Sequence, residues 1–164
     1  MSKRGLEHLL KKPTFTSREA KALGVHTSVL AYYAKKGTIE RISRGLYRSP
    51  KTASSAPFQW QELLEIAQSI PNAVICGVSA LAYYELTLEF QRKHWIAIPH
   101  KARVPKRPKI KVIRMRNIEL GRQHLKLGEY DVQIFDRERC VVDAFKYLSR
   151  ENALRTLRAY LARS

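Results

Sequence analysis

Residues 3–48 change their hydrophobic period once, and this limits the possible folds more than any other feature of the chain. Leu6, Leu9 and Leu10 recur at helical spacing until Pro13 stops the segment. Thr16-Ser17-Arg18-Glu19 is a capping-box pattern, in which the threonine hydroxyl accepts from the third amide and Glu19 reaches back to the cap amide. The helix it opens stops at Gly24. After the turn Gly24-Val25-His26, Thr27 is placed to cap a third helix, with Val29, Leu30 and Tyr33 on one face and Gly37 at its end. From 38 to 48 the apolar residues alternate instead, Ile39 and Ile42, then Leu46 and Tyr47. Ser43-Arg44-Gly45 between them predicts the reversal of a β-hairpin.

Two helices joined by a short glycine-containing turn and followed by a hairpin have the layout of a winged helix-turn-helix. In that layout the second helix enters the major groove and the first crosses the backbone. Ala20 is small where the helices must cross, and Val25, Leu30 and Tyr33 form the inner face. Thr27, Ser28, Ala31, Tyr32 and Lys35 are then left outward. Thr27 and Ser28 can exchange hydrogen bonds with base edges, Tyr32 can reach a base or a phosphate, and Lys35 and Lys36 can contact phosphate. Arg44 at the wing tip is placed to enter a minor groove, while Arg41 and Arg48 flank the wing and can pin phosphates. The alternative is an ordinary helical hairpin with a solvated basic face.

Residues 49–57 are small, polar and bounded by prolines. The expected organisation is therefore a winged domain over 1–50, a linker over 51–57 and a second domain over 58–164. In the second domain, 58–70 reads as an amphipathic helix, 73–76 as a short buried strand and 79–86 as a helix. Residues 95–98, 110–113 and 130–135 read as strands. Asp136 can cap a helix carrying Val141, Phe145 and Leu148, and a last helix carries Leu154, Leu157 and Leu161. The fold class expected is α+β: an N-terminal winged helix-turn-helix, then a small mixed α/β domain.

Charge agrees with an acidic partner. The chain has 164 residues, 31 of them Lys or Arg and 14 Asp or Glu, for a net charge of +17. Residues 1–50 hold 11 basic residues against 3 acidic, a net of +8. A second concentration lies at 101–116, with Lys101, Arg103, Lys106, Arg107, Lys109, Lys111, Arg114 and Arg116 and no acidic residue. Pro105 and Pro108 are expected to hold its first half extended. Eight unopposed charges repel one another unless a polyanion offsets them, so nucleic acid and an acidic protein are the candidate partners, against a merely solvated face.

Catalytic and metal-binding patterns are not visible. The seven glycines are too far apart for a phosphate-binding loop, and His8, His26, His94, His100 and His124 lack ligand spacing. Cys76 and Cys140 suit two buried thiols in a reducing interior. No enzyme activity, cofactor or metal is expected. Residues 66–84 are uncharged but interrupted by Pro71, Asn72 and Gly77, and the start lacks a signal-type apolar stretch. A cytoplasmic protein without a membrane partner is expected.

Phe15-Thr16-Ser17 with Glu19-Ala20 and Leu23-Gly24-Val25, then Leu30 to Tyr33 and Gly37, and above all Arg44-Gly45-Leu46-Tyr47-Arg48, resemble the winged-helix domain of AbiEi-type antitoxins of type IV toxin-antitoxin systems. Cys76-Gly77, Ser79-Ala80-Leu81, the strand 95–99 and Asp136 through Phe145 are similar, more loosely, to that family's C-terminal domain, although this chain ends soon after Leu161. The resemblance implies a DNA-binding repressor that acts on inverted repeats in its own operon and counteracts a nucleotidyltransferase-like toxin. It would be a monomer in solution or a weak dimer on DNA. The alternatives are a stand-alone winged-helix transcription factor and an RNA-directed enzyme whose substrate is held by the basic run.

Overall fold

The computed structural model describes residues 3–104 and 106–164. Its chain divides into two units, one holding residues up to Ser69 together with Lys126–Tyr130, the other Ile70–Leu125 with Asp131–Ser164. Among the described residues no helix is long and apolar enough to cross a membrane.

The first unit runs α1 (Lys3–Leu10), β1 (Thr14–Thr16), α2 (Ser17–Ala22), α3 (Thr27–Lys35), β2 (Glu40–Ser43), β3 (Leu46–Arg48) and α4 (Phe58–Ser69). This is a winged helix-turn-helix. The capping box forms as its sequence dictates: Thr16 Oγ1 accepts from the Glu19 amide at 3.2 Å, and the Thr16 amide donates to Glu19 Oε2 at 2.7 Å. The expected hairpin is present, but it belongs to a three-stranded antiparallel sheet ordered β1-β3-β2. Pairing of β1 with β3 sets Phe15 opposite Tyr47, and their rings stack at 5.8 Å. With Leu6, Leu9, Ala20, Val25, Leu30 and Ile39 they form the core of this unit.

Residues 51–57 lie within the first unit rather than dividing two units, and hydrogen bonding explains why. Ser49 Oγ and Thr52 Oγ1 donate to the Leu10 carbonyl at 3.2 and 2.8 Å, satisfying an acceptor that the end of α1 leaves open. Glu129 accepts from the Ser55 amide and hydroxyl, each at 3.0 Å, and from the Ser54 hydroxyl. The small polar residues that resemble a flexible connection are hydroxyl donors with defined partners distant in sequence.

The second unit is mixed α/β. It comprises β4 (Val74–Ile75), α5 (Gly77–Tyr83), β5 (His94–Pro99), β6 (Ile110–Met115), β7 (Arg122–Leu127), β8 (Tyr130–Phe135), α6 (Arg137–Tyr147) and α7 (Arg150–Ala162), with the turn between β7 and β8 grouping with the first unit. The sheet order is β6-β5-β4-β8-β7, with β4 antiparallel to β5 and parallel to β8, and β5 parallel to β6. Helix α5 packs on β5 and on α6, and α7 packs on α6. Gly77 is required at the start of α5, because its φ is +53° and a Cβ there would lie 2.3 Å from the Trp95 ring. Asp136 and Ser149 cap α6 and α7 by accepting from the amides of Arg139 and Asn152.

Burial works against the charge on Glu19, but hydrogen bonds from Lys12 and Thr16 more than offset it and hold the carboxyl below its ordinary value. Stability from this group is present above the ordinary carboxylate range and lost as pH falls through the depressed value. Replacing Thr16→Ala is expected to lower stability by about 1 kcal/mol in denaturant unfolding. Replacing Glu19→Gln is expected to flatten the loss of thermal stability on acidification, measured by circular dichroism.

Candidate nucleic-acid interface

The geometry of the interface starts from the turn between α2 and α3. Ala20 is fully buried, and its carbonyl accepts from the Val25 amide at 2.8 Å, which closes the turn around Gly24 at φ +75°. α1 approaches the same turn so closely that a Cβ on Gly5 would lie 2.5 Å from the Leu23 carbonyl oxygen. Leu30 and Val25 are buried behind α3. Its N-cap residue is His26, whose side chain makes no capping hydrogen bond, and Thr27 is the first helical residue rather than the cap. The threonine hydroxyl is thereby not used to close the helix.

The outward side of α3 carries the expected set. Thr27, Ser28, Ala31, Tyr32, Lys35 and Lys36 are all exposed. Tyr32 is 52% exposed yet held, with its ring edge-on to Tyr33 at 5.3 Å and Lys36 Nζ 4.7 Å from its centroid. In the wing, a bulge between Arg41 and Ser43 precedes the tip, where Arg44 is exposed and Gly45 has φ +78°. The Gly45 carbonyl accepts from the Ser17 amide at 2.9 Å, and a Cβ on Gly45 would lie 3.1 Å from Ser17 Oγ. That contact ties the wing to the start of α2, so Arg44 has a fixed anchor beside the two helices. Arg41 is exposed next to it. Among the described residues, none of Lys35, Arg41 and Arg44 is in an ion pair.

Arg48 is placed differently. Its Nη2 donates to both carboxylate oxygens of Glu65, at 3.0 and 3.1 Å, and its Nη1 lies 3.6 Å from Glu40. The Glu65 hydrogen bond raises the Arg48 pKa above its ordinary value. Glu65 is buried and also accepts from the Tyr130 hydroxyl at 3.4 Å. Arg48 therefore braces β3 against α4. Arg18 and Lys21, both exposed on α2, lie beside the expected set without belonging to it. Their signal was present: two basic residues three apart on the helix that crosses the backbone in this motif.

The run 101–116 does not form one uniform strip. Lys101, Arg103, Lys106 and Lys109 are exposed, as are Lys111, Arg114 and Arg116, while Arg107 is half-buried and its pKa is lowered by that burial. Pro105 lies outside the described residues. Lys111 and Arg114 are three apart on β6, so they point to opposite faces of the sheet. Lys111 Nζ sits 3.8 Å over the Trp95 ring, and Arg114 donates to the carbonyls of His100 and Ala102.

Residues 6–50 match a family of transcriptional regulators described as the AbiEi antitoxin. The match covers about a quarter of the chain and falls wholly within the first unit. No curated protein matches the chain.

The different surroundings of Arg48 and Arg44 have separable consequences. Arg48→Ala leaves Glu65 buried without its cation and is expected to lower stability by roughly 1–3 kcal/mol. Arg44→Ala is expected to leave the unfolding midpoint unchanged. Denaturant titrations of the two variants side by side check the contrast.

Proposed function

We propose that this protein, whose residues 6–50 carry the winged helix of the AbiEi antitoxin regulators, binds duplex operator DNA with α3 in the major groove and Arg44 in the adjoining minor groove. The observation that carries the reading is the exposed side of α3 beside a wing tip anchored to α2 by the hydrogen bond from Ser17 to Gly45. Thr27, Ser28 and Tyr32 read base edges, while Lys35, Lys36 and Arg41 contact phosphate, joined by Arg18 and Lys21 from α2. Arg48 contributes by holding the wing rather than by touching phosphate. The exposed cations of 101–116 add further contact to the nucleic-acid backbone.

The regulated gene is the protein's own operon, read at inverted repeats. The chain is a monomer in solution or a weak dimer on DNA, and it counteracts a nucleotidyltransferase-like toxin encoded beside it. The family match and the net charge of +17 support this reading.

Neutralising about six phosphates gives a plot of log affinity against log salt with a slope near −5. Titrating the protein's own promoter DNA at increasing salt measures it, and a flat dependence contradicts the reading. Lys35→Ala and Arg44→Ala are each expected to weaken promoter binding by about tenfold without changing the melting temperature. Co-expression with the adjacent reading frame tests the antitoxin role: the full chain is expected to restore growth that the neighbour alone arrests.

A further inference from the structure

The second unit contains a concavity of about 370 Å³ where the end of β6 meets the C-terminal part of α6. Arg114, Arg116, Arg139 and Lys146 line it together with Asn117 and Tyr147, and no carboxylate is among the lining residues. Its floor is rigid. Arg139 is largely buried and locked, with Nε donating to Asp143 at 2.8 Å and Nη1 to the carbonyls of Asn117 and Leu120 at 3.0 and 2.9 Å. Asp143 neutralises Arg139 from behind, so the charge left facing the cavity is that of Arg114, Arg116 and Lys146. All three are exposed, and the Arg114 guanidinium is already oriented by its hydrogen bonds to the His100 and Ala102 carbonyls. Cations that line one concave wall focus a positive field there, and a multiply charged anion offsets it. Arginine held in place forms charge-assisted pairs with phosphate at little further cost in side-chain entropy.

His100 and Met115 complete the lining, and Tyr147 and Asn117 supply what a bare anion would not need. Tyr147 is half-buried on the wall, with Lys146 Nζ 5.1 Å from its ring, and the Asn117 side chain is exposed beside it. An aromatic face and a carboxamide next to a cationic cluster are the elements that stack a base and hydrogen-bond its edge. A cavity of this size suits a single nucleotide, near the lower limit of roughly 300 Å³ for small-molecule sites. The geometry points to a nucleotide-binding site in the second unit, with the phosphates on Arg114, Arg116 and Lys146 and the base against Tyr147. The nucleotide is either free or the phosphorylated terminal unit of a single strand. Arg114 and Arg116 also belong to the run proposed to contact the nucleic-acid backbone, so the site is tested without operator DNA and through Lys146 and Tyr147, which have no part in operator reading.

Direct titration of the full chain, without operator DNA, tests it. The probes are a fluorescent nucleoside triphosphate, inorganic triphosphate, and a short single-stranded oligonucleotide with and without a 5′-phosphate. Saturable binding is expected for the nucleotide or for the 5′-phosphorylated strand, and whichever binds more tightly identifies the source. Lys146→Ala is expected to weaken that binding by about tenfold or more. Tyr147→Leu is expected to weaken it by about tenfold and Tyr147→Phe to restore it. Promoter binding and melting temperature are expected to stay unchanged in the Lys146→Ala variant, so failure of this site and failure of the operator reading give different results. The proposal is overturned if neither probe saturates, if Lys146→Ala binds as the parent does, or if inorganic triphosphate binds as tightly as the nucleotide.

Discussion

The crossing of α2 and α3 is the constraint on which the first unit rests. Ala20 is fully buried, Gly24 takes the left-handed conformation, and Gly5 admits the Leu23 carbonyl where any side chain would collide. Close-packed contacts of this kind respond to a change of a single methylene, so the angle between the helices is set by steric fit rather than by charge. The wing is tied to that frame by the pairing of β1 with β3 and by the backbone hydrogen bond from Ser17 to Gly45. Placement of the exposed residues of α3 beside Arg44 therefore follows from small residues that make no external contact.

In a chain with 31 basic and 14 acidic residues, the position of each carboxylate decides which cations are neutralised. Glu65 is assigned to Arg48, Asp143 to Arg139, and Glu19 to Lys12 and the helix cap. These are framework positions, where a partly buried cation would be costly without its counter-charge. Among the described residues, Lys35, Arg41 and Arg44, exposed on α3 and the wing, have no such partner. The charge pattern thus separates residues that hold the structure from residues left for an acidic ligand, a distinction that residue counts do not contain.

Much of this was legible in the sequence because the relevant signals are local. The capping box at Thr16, glycine at 24 and 37, and the change of period after Thr38 each act within a few residues, and each forms as read. β1 was missed because it is three residues long and buries one large side chain, Phe15, whose partner Tyr47 is distant in sequence. β7 is not legible because Arg122, Gln123 and His124 are consecutive polar residues and only Leu125 and Leu127 alternate, on an edge strand of the sheet. The ion pair of Arg48 is not legible because Glu65, which holds it, lies seventeen residues away on α4. The serines of 49–57 looked like a linker for the same reason, since Leu10 and Glu129 are their partners.

Backbone amide chemical shifts of the full chain, recorded by NMR as promoter duplex is added, test the central claim most directly. The changes should concentrate in residues 27–36 and around Arg44, with smaller ones at Arg18 and Lys21. If those amides stay in place while the duplex binds elsewhere on the chain, the winged helix is not the reading surface and the account is wrong.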